Sequence, residues 1–291
     1  MGNVLWMCIV AITYIFMFAV LPFWICGHRF SKPKVVENLL KSFLVSHLVL
    51  INVAFLLLFL QIYNTYTLIV ALLLVIAAYV YFFKRESFIK YVSGKAEQYV
   101  HISKGVFSRK VISQEARARR RERAKAMLTV LFARPVNVIV FLIGFGFAAY
   151  TRCYFAATQM HYGLSDTYVS TSWMRLMEEQ KIFTTGVYPY GMHVSLESMK
   201  LLSGIDLITI LRFMGCLVGL VIVIMLYILL RRAFRSSLAA NFAFIIFCVS
   251  DAIFQPAVQR QSHLLAQEYA QMFLYPCAYF LHDYLETKKR S

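Results

Sequence analysis

Asp166, His193 and Glu179, with Tyr188 and Tyr190 between them, lie in one stretch, LSDTYVSTSWMRLMEEQKIFTTGVYPYGMH, that separates two long apolar runs. Carboxylates and an imidazole can take and return protons, so this stretch holds the residue types that acid–base chemistry needs. Three arginines accompany it: Arg152 before the stretch, Arg212 after it and Arg260 further on, with Glu268 nearby in sequence. Guanidinium groups match phosphate oxygens in shape and charge, so the set predicts an anionic ligand. The plainer reading of each residue stands beside this one. An Asp before a helix caps free N–H groups, aromatics anchor at membrane interfaces, and long cationic side chains snorkel to the surface.

Whether these residues meet depends on the elements that carry them. The chain has 291 residues, of which 60% are hydrophobic and 15% charged, a composition of polytopic membrane proteins and not of soluble domains. A helix crossing the ~30 Å hydrocarbon core needs about 20 apolar residues. Seven stretches qualify: 4–25, 42–62, 66–83, 136–156, 208–230, 237–254 and 264–282. The fold class is therefore an all-α membrane bundle of about seven spans with an outward loop of short amphipathic helices. The N-terminus has no basic n-region and an apolar run too long for a signal-peptide core, so it reads as a retained span. Trp6 stands where a myristoylation motif requires Ser or Thr.

The net charge of +16 is accounted for by the basic bias of cytoplasmic connectors, and nucleic acid is not an expected partner. Connectors 26–41, 84–134, 231–236 and the tail are basic, whereas those near Asn64, at 157–207 and at 255–263 are not. This alternation predicts the N-terminus outside, the C-terminus inside and loop 157–207 facing outward. Three regions follow: a three-span module at 1–83, a basic cytoplasmic segment at 84–134, and 135–291 with four spans. Within 84–134, SQEARARRRERAKAM predicts a helix attracted to anionic membrane lipids. The six cysteines, at 8, 26, 153, 216, 248 and 277, lack disulfide or zinc spacing and read as small buried hydrophobes. Phosphate-loop, nucleophile-elbow and internal-repeat signals are absent, and the span interiors read as free of ionisable residues at mid-depth.

In the outward loop, Val169, Trp173, Leu176 and Met177 recur at amphipathic-helix spacing, predicting a helix along the membrane surface with Asp166 at its start, at head-group height. A second helix is predicted from about His193 to a stop at Gly204. Asp251, Gln255, Gln267 and Gln271 extend the polar character of the outer side.

SDTYVSTSWMRLMEEQKIF followed by GVYPYGMHVSLESMKLLSGID resembles the first outward loop of GT-C-fold membrane glycosyltransferases, and QRQSHLLAQEYAQMFLYP is more loosely similar to a later outer-face helix of those enzymes. The resemblance covers about the second half of the chain and leaves the first three spans outside it. It implies transfer of a sugar from a polyprenyl-phosphate-linked donor to a cell-surface glycan or related acceptor at the outer face of the plasma membrane. Asp166 would be the catalytic carboxylate, and Arg152, Arg212 and Arg260 would hold the donor phosphate. His193, Glu268, Tyr188, Tyr190 and Glu179 would contact acceptor or metal, a divalent ion such as Mg or Mn being optional because no Asp-x-Asp pair occurs. The family's further helices would come from a longer or split chain or from a partner subunit. Two readings from other classes remain open: a non-catalytic subunit that binds or escorts a lipid-linked glycan, and a component of a polysaccharide flippase or polymerase.

Overall fold

The computed structural model describes residues 2–26, 35–82, 135–159, 165–184, 186, 189–234, 236–253 and 262–290. The basic segment 84–134, Tyr188, Gln255 and Arg260 lie outside the described residues, as does the side chain of Asp251. The chain divides into two compact units, residues 1–69 with 140–291 and residues 70–139. Of the second unit, the described residues are 70–82 and 135–139, parts of two apolar helices.

The described residues are helical and contain no strand. Helix α1 (Gly2–Ile15) runs through a π-helical turn (Phe16–Val20) into α2 (Leu21–Cys26). There follow α3 (Val35–Phe59), α4 (Thr65–Phe82), α5 (Pro135–Thr158), α6 (Ser165–Glu178), α7 (Gly191–Ser203), α8 (Leu207–Ala233), α9 (Ser237–Ile253) and α10 (Ala266–Arg290). Local chemistry sets several ends. Asn64 Oδ1 accepts from the N–H groups of Tyr66 and Thr67 at the start of α4. Asp206 does the same for Ile208 and Thr209 at the start of α8. Gly204, at φ 71°, closes α7 in the left-handed conformation that glycine adopts without strain.

Five helices among the described residues are long and apolar enough to cross a membrane: Gly2–Ile25, Val35–Phe59, Thr65–Phe82, Pro135–Thr158 and Leu207–Ala233. The stretches 237–254 and 264–282 are not among these five, which are counted over the described residues. Helix α9 has 17 residues. Helix α10 is not among the membrane-length apolar helices, because polar and charged residues from Gln267, Glu268 and Gln271 to Asp283, Glu286, Lys288 and Lys289 lower its hydropathy.

His47, the central residue of α3, is edge-on to Phe273 at 4.9 Å and to Tyr269 at 6.2 Å. Tyr14, close to the middle of Gly2–Ile25, has its hydroxyl 3.4 Å from Met272 Sδ. The second turn of α10 is therefore level with the middle of two apolar helices. Its start, at His263 and Leu264, rests on Gly215, about 12 Å into α8 at 1.5 Å per residue. At the other end Arg232 of α8 pairs with Asp283 and, at 3.5 Å, with Glu286. Thus α10 runs parallel to α8 but begins two turns lower and continues into charged sequence beyond it.

The short helices also depart from the predicted surface-lying pair. All of Met192 to Met199 in α7 is buried, including His193, Ser195, Glu197 and Ser198. Several of its polar groups are bonded inside the unit: Ser195 Oγ to Gly191 O, Ser198 Oγ with the Tyr63 hydroxyl at 2.8 Å, and Glu197 Oε1 with Lys200 at 2.9 Å. In α6 the buried row is Thr167, Ser170, Thr171, Met174 and Met177, while Val169 is 46% exposed. Small hydroxyls can face a core once they bond to carbonyls, as Thr171 does to Thr167 O. A periodicity counted on large apolar residues misses that face. The cysteines divide as well, with Cys216 and Cys248 buried but Cys8 and Cys277 exposed.

Candidate functional site

Asp166 is exposed in the first turn of α6. The next residue, Thr167, is buried and its hydroxyl donates to Leu264 O at 3.5 Å. Since Leu264 packs on Gly215, the start of α6 lies well below the first residue of α8. The same contact brings together two helix beginnings. Glu268 occupies the first turn of α10 as Asp166 occupies that of α6, so two carboxylates sit beside two sets of N-terminal N–H groups. Helix starts carry partial positive charge, which favours anions.

The arginines separate. Arg152 is 0% exposed, with Nη1 donating to Ala148 O at 3.5 Å and its guanidinium 5.8 Å from the Phe247 ring. It faces the packing of α5 and α9 around Ala148, Val223, Phe244 and Cys248. Arg212 donates to Gln159 O, just past the end of α5, and lies 5.1 Å from the Phe213 ring. A cation at that place complements the negative end of α5. Arg260 lies outside the described residues.

His193 and Tyr190 form a second group. His193 Nε2 is 3.2 Å from Ser170 Oγ, and its ring lies 5.2 Å from Trp173 and 5.4 Å from Tyr190. Phe183 meets Tyr190 edge-on at 5.0 Å. Tyr190 and His193 are both buried, so these residues join α6 to α7 instead of anchoring at an interface or meeting solvent. Glu179, at the far end of α6, is exposed and paired with Lys181 at 2.8 Å. Among the described residues no group of three or more His, Cys, Asp and Glu side chains is arranged to hold a metal ion. Asp166 and Glu268 offer two carboxylates, short of such a set, and no chemical step is routed through a metal.

Burial holds the His193 imidazole down to about 4. Because the folded-state value lies below the unfolded one, the unfolded chain binds more protons between them, so stability falls as pH drops from about 6.5 towards 4. The expected loss is about 3 kcal/mol for this group. Thermal unfolding of wild type and His193→Gln in detergent at pH 7 and pH 4.5 tests it: the wild type should lose more than the variant, and equal losses would refute the assignment.

One group escaped the reading of the sequence. Tyr14 donates to His47 Nε2 at 2.9 Å, and His47 Nδ1 donates to Phe43 O at 2.9 Å. This ionisable pair stands at the middle of two apolar helices, contrary to the predicted absence of such groups at mid-depth. The signal was a histidine inside the apolar run 42–62.

These features define an all-helical protein of membrane-spanning character, with two short helices packed among the ends of longer apolar ones. Protein-family models, characterised proteins and solved structures provide no match to this chain.

Proposed function

We propose that this protein is a GT-C-like membrane glycosyltransferase that moves a sugar from a polyprenyl-phosphate-linked donor to a cell-surface glycan or related acceptor. The observation that carries this reading is the meeting of the α6 and α10 starts, each with a carboxylate in its first turn, through Thr167 and Leu264. In the proposed reaction Asp166 takes the proton of the acceptor hydroxyl as that oxygen bonds to the anomeric carbon. The bond from that carbon to the phosphate oxygen breaks, and its electron pair leaves with the phosphate. The two helix starts would stabilise the departing anion, with Arg212 and Arg260 as candidate cations. Glu268 would contact the acceptor. Arg152, buried in the packing of α5 and α9, would position these elements and not touch the donor.

The proposed orientation has the N-terminus and loop 157–207 outside the plasma membrane and the C-terminus inside. It is supported by Asn3 Nδ2, which donates to Ala157 O at 2.9 Å and so sets the N-terminus beside that loop. A non-catalytic lipid-glycan-binding subunit is the second reading, favoured by the engagement of Arg152 and Arg212 with carbonyls of the chain itself.

The test is transfer of labelled sugar from polyprenyl-phosphate donors by the purified protein in nanodiscs, with donor binding followed in parallel. Asp166→Asn should lower transfer at least about 100-fold, the scale of a general base, and leave donor binding intact. Donor binding without transfer in the wild type would replace the enzyme with the subunit, and absence of both would remove lipid-linked sugar from the proposal.

A further inference from the structure

Contacts along α5 fix its register on α8. Phe141 meets Tyr227 at 4.9 Å, Ala148 shares a buried cluster with Val223, and at the far end Arg212 donates to Gln159 O. Residue numbers rise along α5 as they fall along α8, so the two helices run antiparallel. Between these contacts Phe155 meets the His263 ring at 4.3 Å, and the backbone of His263 lies against Gly215. Phe155 and Gly215 are therefore at about one level. Cys153 lies deeper than Phe155 by roughly 3 Å and Cys216 deeper than Gly215 by roughly 1.5 Å, at about 1.5 Å per residue, so the register alone sets the two cysteines at nearly the same height.

They also meet. Cys216, Val223 and Tyr227 recur at the spacing of one helix face, the face of α8 that packs on α5. The thiols of Cys153 and Cys216 are hydrogen-bonded to each other, and Cys216 Sγ is 3.0 Å from Phe213 O. Their surroundings differ. Cys216 is buried, whereas Cys153 is partly exposed and has the Arg152 guanidinium beside it. A partly exposed thiol next to a cation, with a second thiol behind it, is the setting of cysteines that undergo exchange; an inert structural cysteine has neither neighbour. Thiols in contact across two packed helices also need little backbone movement to be bridged.

We propose that Cys153 and Cys216 are a redox-active pair, converted by a small uncharged disulfide into an internal disulfide that bridges α5 and α8. An uncharged reagent is required because Cys153 presents its accessible side from a membrane-length apolar helix. The Cys153 sulfur attacks one sulfur of the external disulfide, that S–S bond breaks, and the departing half takes the proton that Cys153 gives up. The Cys216 sulfur then attacks Cys153 in the mixed disulfide, and the second half leaves with the Cys216 proton. Two protein thiols are oxidised by two electrons in all, and one external disulfide is reduced to two thiols. In the proposed orientation both cysteines lie near the outer ends of their helices, on the side where disulfides persist. The bridge would fasten α5 to α8 beside the Gly215 contact on which the start of α10 rests. The pair is independent of the sugar-transfer reading and stands whether or not the protein is an enzyme.

The test uses the full-length protein in phosphatidylcholine nanodiscs, treated with dipyridyl disulfide and mapped by mass spectrometry of non-reduced peptides. A peptide containing Cys153 should be joined to one containing Cys216 within a single chain, and a phosphine reductant should release it. The oxidised protein should unfold at least about 5 °C above the reduced one, because the bridge closes a long loop of the unfolded chain. Cys153→Ser and Cys216→Ser should each abolish the link and the shift. Cys248→Ser should keep both, which separates the pair from the other thiol close to Arg152. Mapping of the wild type needs no variant, so a folding defect in any of the three leaves it decisive. Cys153 joined to Cys248 or to a second copy, both cysteines carrying separate pyridylthio groups, both remaining as thiols, or a link that leaves unfolding unchanged would each overturn the proposal.

Discussion

Gly215→Ala is expected to destabilise the protein by about 3 kcal/mol, the upper range for overpacking. A Cβ at this position would lie 2.4 Å from His263 C, 2.6 Å from Leu264 N and 2.8 Å from His263 Cα. All three are backbone atoms, so no change of rotamer relieves the clash. The beginning of α10 must move away from α8, and with it the carbonyl that accepts from Thr167. In the proposed transferase, activity should fall together with stability. Gly146 provides the control: it lies in α5 with nothing within 4 Å of its would-be Cβ. Gly146→Ala should be neutral or stabilising by up to about 1 kcal/mol through helix propensity. Thermal unfolding in one detergent compares the pair, and a Gly215→Ala protein as stable as wild type would show that α8 and α10 do not pack through this glycine.

His47→Ala should cost about 4 kcal/mol. That figure combines a large-to-small cavity with a buried hydroxyl deprived of its main partner. The ring stacks on Phe18 at 4.0 Å and meets Phe43 at 4.5 Å and Phe273 at 4.9 Å, so its removal empties an aromatic contact of three helical segments. Tyr14 would lose its imidazole acceptor and turn to weaker contacts such as Met272 Sδ at 3.4 Å. Tyr14→Phe should cost about 1–2 kcal/mol, and the double variant less than the sum, because both substitutions delete the same hydrogen bond. Additive losses would mean that the two side chains do not depend on one another. The neighbouring π-helical turn belongs to the same arrangement. Ser46 Oγ donates to Phe18 O at 2.8 Å, supplying a partner to a carbonyl where the helix widens.

Much of the scaffold was legible because hydrocarbon makes a simple demand: about 20 apolar residues per crossing, with backbone groups satisfied within each helix. The runs beginning near residues 4, 42, 66, 136 and 208 meet it, and each forms a membrane-length helix. The loop's helices were legible as helices too, down to the Gly204 stop. Their placement was not. Thr167, Ser170 and Thr171 look like an outer polar face in a hydropathy pattern, yet their hydroxyls find carbonyl and imidazole partners that only the folded chain supplies. Tyr190 and His193 likewise looked like surface chemistry and became the aromatic contact between α6 and α7.

The sequence by itself determined that the chain is helical and rich in membrane-length apolar segments, because that follows from composition and from runs of residues adjacent in the chain. Tertiary structure decided how deep each polar group lies and what it faces. Gly215 admits the beginning of α10 two turns into the bundle, and a contact of that kind joins residues nearly fifty positions apart. Depth is set by such distant packing, so Asp166, His47 and the glutamines of α10 acquired their surroundings only once the helices were assembled.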